Sequence, residues 1–523
     1  MRRSPKLKLR GKKGLAIALL SVFLLSLALR IPGYESQPVM PDEVTYFARY
    51  AFTIIEHGWD WPVKYMYIHP PLIPYLLAIA TLVAGGSLAV LRIIPILMGA
   101  VTPVFLFLLG RDLYDERVGA LAALLTAFSS YHILYSRAVM LEAPLLFFLT
   151  GGLYFYVRSS RDPDRYQASV LVSGVFLGLA IITKWVALLY IPAFLLYLVL
   201  RDRSPWALID RRTLTVFLVS GLVALPCVLD LLGHGVNPLY RNLGIGTPDV
   251  VQLVGFEEIG LPDLAVRGVV NFLEVTVHSD SRAAGMIPWS PVLGWVAGAV
   301  FALTMAYSAF HWIRGREQES LLFSLFLAFN LFVAIYGKRF QYYLIWSLPI
   351  YSLLASASLT GILRGLSPGE MAGKVGSVAC LAIGYVFVLS IIAVGLLAPG
   401  YNGGPTYGFD EQVMAMKTDL SDGDIIAATF PEVVIYYMEE FDLEPFERNI
   451  LVVPLNRKML SPIGFIEELD MQVVSRLRPR FLLTNRYYFD ELAGSDEVRT
   501  INQDYRLVSE AGEVMLFERA RAG

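Results

Sequence analysis

The chain has 523 residues, 56% of them hydrophobic and 17% charged, with a formal net charge of −2. A mean hydropathy of +0.56, with several apolar runs of about twenty residues, excludes a disordered, collagenous or disulfide-stapled protein and argues against a soluble multidomain enzyme. The composition is that of an α-helical polytopic membrane protein. Cys227 and Cys380 each sit inside an apolar run, so they say nothing about redox compartment.

The first element is a basic tail, residues 1–14, followed by an apolar run from Leu15 to Leu29. Arg30-Ile31-Pro32-Gly33 follows that run in place of a small-residue cleavage site, so it reads as a retained helix with a cytoplasmic N-terminus. Later spans are expected near 87–110, 118–134, 143–157, 168–183, 186–200, 213–232, 289–312, 321–336, 342–363 and 375–398, eleven with the first. The apolar run from Pro71 to Ala84 lies between Pro70-Pro71 and Gly85-Gly86. At about 14 residues it is too short for a ~30 Å hydrocarbon core, and suits an interfacial or re-entrant helix. Leaving it out of the count puts Arg111 and Arg117, 158–165, 201–212, Arg314 and Arg316, and 364–374 inside, as the positive-inside rule requires. Residues 31–86, 135–142, 233–288 and everything after Pro399 then fall outside, and the protein is placed in the plasma membrane.

Residues 399–523 change character after a Gly/Pro-rich linker, whereas 15–398 form the membrane portion. Asp424–Phe430, Ile450–Pro454 and Arg480–Thr484 read as strands, the stretch after Pro431 as a helix, and Tyr505–Glu518 as a hairpin. These make a small extracytoplasmic α/β domain whose role the residues do not reveal.

The chemistry-bearing residues cluster in the external segments. Asp42 and Glu43 follow Pro41 and open an amphipathic helix expected over 44–57. They are either acidic residues favoured by a helix dipole or carboxylates held at the membrane surface for proton transfer. The cytoplasmic pair Asp115-Glu116 is a control, since the dipeptide alone proves nothing. His69 precedes Pro70-Pro71 at headgroup depth, as phosphate donor, metal ligand or interfacial polar group. Arg137 and Glu142 are either a structural pair or an active-site wall. Lys184, Lys338 and Arg339 are basic groups on the outer face, explained by snorkelling or by an anion. For Lys338 and Arg339, with Tyr342 and Tyr343 beside them, a lipid phosphate is one such anion. The segment 233–288 shows no metal-ligand spacing, so a metal stays unknown. No phosphate-binding glycine loop is present in the sequence, which removes an obvious nucleotide energy source.

These motifs, taken in order, resemble the polyprenyl-phosphate-sugar-dependent GT-C glycosyltransferases, the protein O-mannosyltransferase and aminoarabinose-transferase group in particular. The resemblance rests on Pro41-Asp42-Glu43 with Tyr46 and Ala48, and on His69-Pro70-Pro71-Leu72. Arg92 with Pro95, Ser136-Arg137, Glu142-Ala143-Pro144, Thr183-Lys184, and Lys338-Arg339-Phe340 with Tyr342, Tyr343 and Pro349 complete it. It implies a GT-C fold and transfer of a sugar from a dolichyl or undecaprenyl phosphate to a protein, glycan or lipid acceptor. Among membrane lipids, with no nucleic acid partner, Asp42 would be the general base and Glu43 a supporting carboxylate. Glu142 stands where the group usually carries an acid, often Asp. His69, which replaces a Lys of some relatives, would with Arg137, Lys184, Lys338, Arg339, Tyr342 and Tyr343 bind the lipid-phosphate donor. No cofactor is implied beyond a divalent cation, which stays open. The family favours inversion at the anomeric carbon, although two carboxylates also suit retention. A transporter or lipid flippase, and a non-catalytic envelope assembly protein, are the competing classes.

Overall fold

The computed structural model describes residues 11–35, 37, 39–59, 69–233, 303–335 and 345–365, and most of 408–520. It divides into two compact units, one of Met1–Tyr34 with Ala51–Gly400, the other of Glu35–Tyr50 with Tyr401–Gly523. The segment bearing Asp42 and Glu43, expected as part of the membrane portion, thus belongs by its packing with the C-terminal residues.

The first unit is helical. Among its described residues, the helices Leu88–Leu113, Trp185–Asp202 and Arg211–Asp230 are long and apolar enough to cross a membrane. Helices Gly11–Ala28, Leu72–Ala84, Glu142–Arg161, Tyr166–Ile181, Glu317–Ile335 and Leu348–Gly365 accompany them. The run expected to be one span over 118–134 is broken into Glu116–Ala127 and Ser130–Ser136. The cause is local, because the Ser129 hydroxyl accepts the His132 N–H and starts a second helix. Expected spans at 289–312 (in greater part) and 375–398 lie outside the described residues.

Small residues and aromatic rings bring these helices together. A Cβ at Gly110 would stand 2.7 Å from the Gly119 Cα, so only glycine permits the close approach of Leu88–Leu113 and Glu116–Ala127. Phe105, Phe147, Phe155 and Phe176 pack edge-on or tilted, with centroids 5.5–6.2 Å apart. Each such pair adds about 0.5–1.5 kcal/mol beyond its buried area. They join Leu88–Leu113, Glu142–Arg161 and Tyr166–Ile181.

The second unit is built on a five-stranded sheet. Its strands are β1 (Ile425–Ala428), β2 (Leu451–Pro454), β5 (Phe481–Asn485), β6 (Tyr505–Ala511) and β7 (Val514–Arg519), in the order β2-β1-β5-β7-β6. β1 is parallel to β2 and β5, while β7 is antiparallel to β5 and β6. A separate hairpin of β3 (Asn456–Ser461) and β4 (Gly464–Leu469) was not expected. The core holds Ala427, Leu482, Ile501, Tyr505 and Phe517. Helix Pro431–Glu440 makes the crossover between β1 and β2 and begins with proline at its first position.

Candidate active site

Two acidic dipeptides lie near helix starts in different backbone conformations, extended at Asp115 and helical at Asp42. At Asp115 the carboxylate accepts the N–H groups of Arg117 and Val118, at 2.9 and 3.1 Å, and caps the helix Glu116–Ala127. Asp42 lies in the first turn of its helix, just ahead of the π-helical turn Glu43–Phe47, where its helical backbone does not suit N-capping and its side chain makes no cap hydrogen bond. It is half-exposed, whereas Glu43 is fully buried. The Glu43 Oε2 accepts the Met40 N–H at 2.8 Å, and the Glu43 N–H donates to the Met40 carbonyl at 2.9 Å. This reciprocal pair closes a turn around Pro41 and Asp42. The helix expected over 44–57 is present and unbroken over 41–57, with Glu43–Phe47 wound as a π-helical turn ahead of Ala48–His57.

In the helical unit a second group forms from three sequence-distant motifs. Glu142 opens Glu142–Arg161, and its Oε1 lies 2.5 Å from the Lys184 Nζ. Both side chains are buried, and Glu142 Oε2 has no hydrogen-bond partner among the described residues. The Lys184 Nζ also lies 5.1 Å from the Trp346 ring centroid, a cation–π contact. The Leu72 N–H donates to the Ile182 carbonyl at 3.2 Å, which seats the His69-Pro70-Pro71-Leu72 motif on the turn that carries Lys184. His69 itself is half-buried.

Arg137 is fully buried beside Glu142 in sequence, but its Nη2 donates to the Pro32 carbonyl at 2.5 Å. Arg92, also buried, donates from Nη1 to the Tyr34 carbonyl at 2.8 Å. Burial, and then the neighbouring Arg92 charge, lower the Arg137 guanidinium to about 10, so it stays protonated at neutral pH. These two cations hold the chain just before it enters Glu35–Tyr50.

Sequence reasoning passed over three residues here. Arg30 is fully buried, and its Nη1 donates to the Ser26 carbonyl and hydroxyl, both at 2.7 Å. Its Nη2 meets the His132 Nδ1, which must accept, since a guanidinium only donates. An arginine immediately after the first apolar run and a histidine inside another were the available signals. Trp346, the ring under Lys184, carried none. Lys338, Arg339, Tyr342 and Tyr343 lie outside the described residues. Among those described, no group of three His, Cys, Asp or Glu side chains forms a metal cluster.

Residues 68–231 match the family model of dolichyl-phosphate-mannose-protein mannosyltransferases. Dolichyl-phosphate-mannose–protein mannosyltransferase 1 of Saccharomyces cerevisiae is 26% identical over 200 residues, 34% of this chain and 23% of that protein. The mannosyltransferase 4 of Schizosaccharomyces pombe is 26% identical over 183 residues, 30% of this chain and 22% of its own length. The chain therefore covers less than a quarter of either yeast relative. In fold it is similar to the oligosaccharyltransferase of Archaeoglobus fulgidus, with TM-score 0.57 at 15% identity over 98% of this chain and 74% of that one. It is likewise similar to ArnT of Cupriavidus metallidurans, solved with undecaprenyl phosphate, with TM-score 0.52 at 14% identity over 97% and 98%. The chain is thus similar over residues 68–231 to the dolichyl-phosphate-mannose-protein mannosyltransferases, and in fold to the GT-C glycosyltransferases.

Proposed function

We propose that the chain is a membrane glycosyltransferase that moves a sugar from a polyprenyl phosphate carrier to an acceptor hydroxyl at the outer membrane face. The observation that carries this reading is the match of residues 68–231 to the dolichyl-phosphate-mannose-protein mannosyltransferase model, which supports the class of donor. Asp42, half-exposed beside the buried Glu43, is the carboxylate proposed as the base.

In the proposed step the acceptor oxygen attacks the anomeric carbon as the carbon–oxygen bond to the phosphate breaks. The acceptor proton passes to Asp42, and the polyprenyl phosphate leaves with the bonding electrons. One displacement inverts the anomeric carbon. Lys184 offsets charge growing on the leaving phosphate, and Glu142 holds that ammonium in place. Lys338 and Arg339 add to the same task. The distribution of basic residues along the sequence supports eleven spans with a cytoplasmic N-terminus, a topology in which these groups belong to the external side.

The test uses purified full chain with dolichyl phosphate carrying tritiated mannose, or undecaprenyl phosphate carrying a labelled aminopentose, and a Ser/Thr-rich peptide. Label recovered on peptide, or as free sugar released by water, supports the transferase. Intact labelled donor moved across a vesicle membrane, with no cleavage, supports the transporter class and removes this reading.

A further inference from the structure

The turn that carries Asp42 is held by a residue nearly four hundred positions away. The Val39 N–H donates to the Tyr437 hydroxyl at 3.3 Å, and both residues are buried. Tyr437 lies on the helix Pro431–Glu440, which packs against the π-helical turn Glu43–Phe47. Its ring is fixed in turn, stacked on Phe441 at 6.1 Å with 19° between planes and edge-on to Tyr436 at 5.3 Å. That helix is anchored on β1 and β2.

Three bonds therefore fix the backbone around Asp42 without using its carboxylate. Glu43 supplies two of them from within the turn, and Tyr437 supplies the third to the residue two before Pro41. A general base must stand within hydrogen-bond reach of the proton it takes, and a displacement of about 1 Å can cost ~10²-fold in rate.

We infer that Tyr437 is a positioning residue for Asp42, and that the C-terminal unit serves catalysis by holding the Pro41-Asp42-Glu43 turn through the Tyr437 hydroxyl and the helix that bears it. This rests on Asp42 being the general base. Acceptor capture is a different duty and is not needed to explain why this helix packs where it does. The bond reaches a main-chain N–H, so it fixes the path of the backbone whatever side chain stands at Val39.

Tyr437→Phe removes the hydroxyl and keeps the ring stack. Hydrogen exchange in the full-length protein should show a rise of about tenfold at the peptide containing Val39, the scale of one hydrogen bond, with exchange in β1 and β5 unchanged. With the labelled mannose donor, kcat should fall by about tenfold while the donor KM holds. In an Asp42→Asn background the same change should leave the residual rate as it was, because the residue it positions has lost its function. Unaltered exchange at Val39 overturns the inference. An equal fractional loss of kcat in the Asp42→Asn background overturns it as well. Full activity of Asp42→Asn alone would instead remove the base assignment, with the exchange result still deciding whether Tyr437 holds the turn.

Discussion

The Lys184 Nζ and the Glu142 Oε1 meet at 2.5 Å in a buried setting, across 42 positions of sequence, and join the turn at Ile182–Lys184 to the start of Glu142–Arg161. Breaking one side of a buried pair leaves an uncompensated charge, which costs about 3–5 kcal/mol. Lys184→Met should therefore lower the thermal midpoint of the detergent-solubilised protein sharply. The double variant Lys184→Met with Glu142→Gln should recover most of that midpoint without recovering transfer. Recovery of both would make the pair structural only.

The buried Glu43 carboxylate is used as a hydrogen-bond acceptor for Met40, a duty an amide oxygen can also perform. Glu43→Ala should reduce kcat by at least tenfold, on the scale of a misplaced base, and Glu43→Gln should restore most of the loss. Steady-state rates of the two variants, with their pH profiles, check this. If Gln is as inactive as Ala, the charge of Glu43 takes part in the chemistry.

Arg92 and Arg137 grip the carbonyls of Tyr34 and Pro32. A hydrogen bond from a charged group is worth about 1.5–3 kcal/mol, and less where water can replace it, as at the exposed Pro32. Arg137→Ala should expose the chain near Pro32 to limited proteolysis in proteoliposomes, and Arg137→Lys should protect it only in part, since an ammonium lacks the guanidinium fork. Unchanged cleavage at that site would show that Arg137 serves another end.

Glu518 on β7 accepts from Arg506 at 2.7 Å and lies 3.6 Å from Arg480. The Arg506 hydrogen bond, opposed by burial and helped by both charges, holds its carboxyl below the ordinary range. A lowered folded-state value means that the contribution is present above the unfolded value and fades as pH falls through the folded one. Exchange protection of β7 should thus be level at neutral pH and decline below about pH 4. Glu518→Gln should remove that part of the decline, an effect under about 1 kcal/mol for so exposed a cluster.

Much of the helical unit was legible because long apolar helices announce themselves by length and composition. The expected 143–157, 168–183 and 213–232 fall within or across Glu142–Arg161, Tyr166–Ile181 and Arg211–Gly233. Pro70-Pro71 and Gly85, with its φ of +95°, bound the short helix Leu72–Ala84 as their conformational preferences require. Local signals were weaker at Ser129, where one hydroxyl divides an apolar run that hydropathy alone treats as continuous.

The site was legible as a set of residues and not as a set of contacts. Asp42, Glu142 and Lys184 were marked by charge in segments expected to be external, but the partner of Glu142 is Lys184 and not the Arg137 five positions before it. The burial of Glu43 and the reach of Tyr437 to Val39 follow from packing between distant segments, which neither spacing nor periodicity encodes. The difference between Asp42, with helical backbone, and Asp115, extended and capping, likewise appears only in the folded chain.

The role of Asp42 is tested most directly by transfer of tritiated mannose from dolichyl phosphate by wild-type protein and by Asp42→Asn, each confirmed as folded by its thermal midpoint. The account predicts transfer by the wild type and a loss of about 10²–10⁴-fold in the variant, the span of general-base catalysis. Equal rates in the two proteins would contradict it.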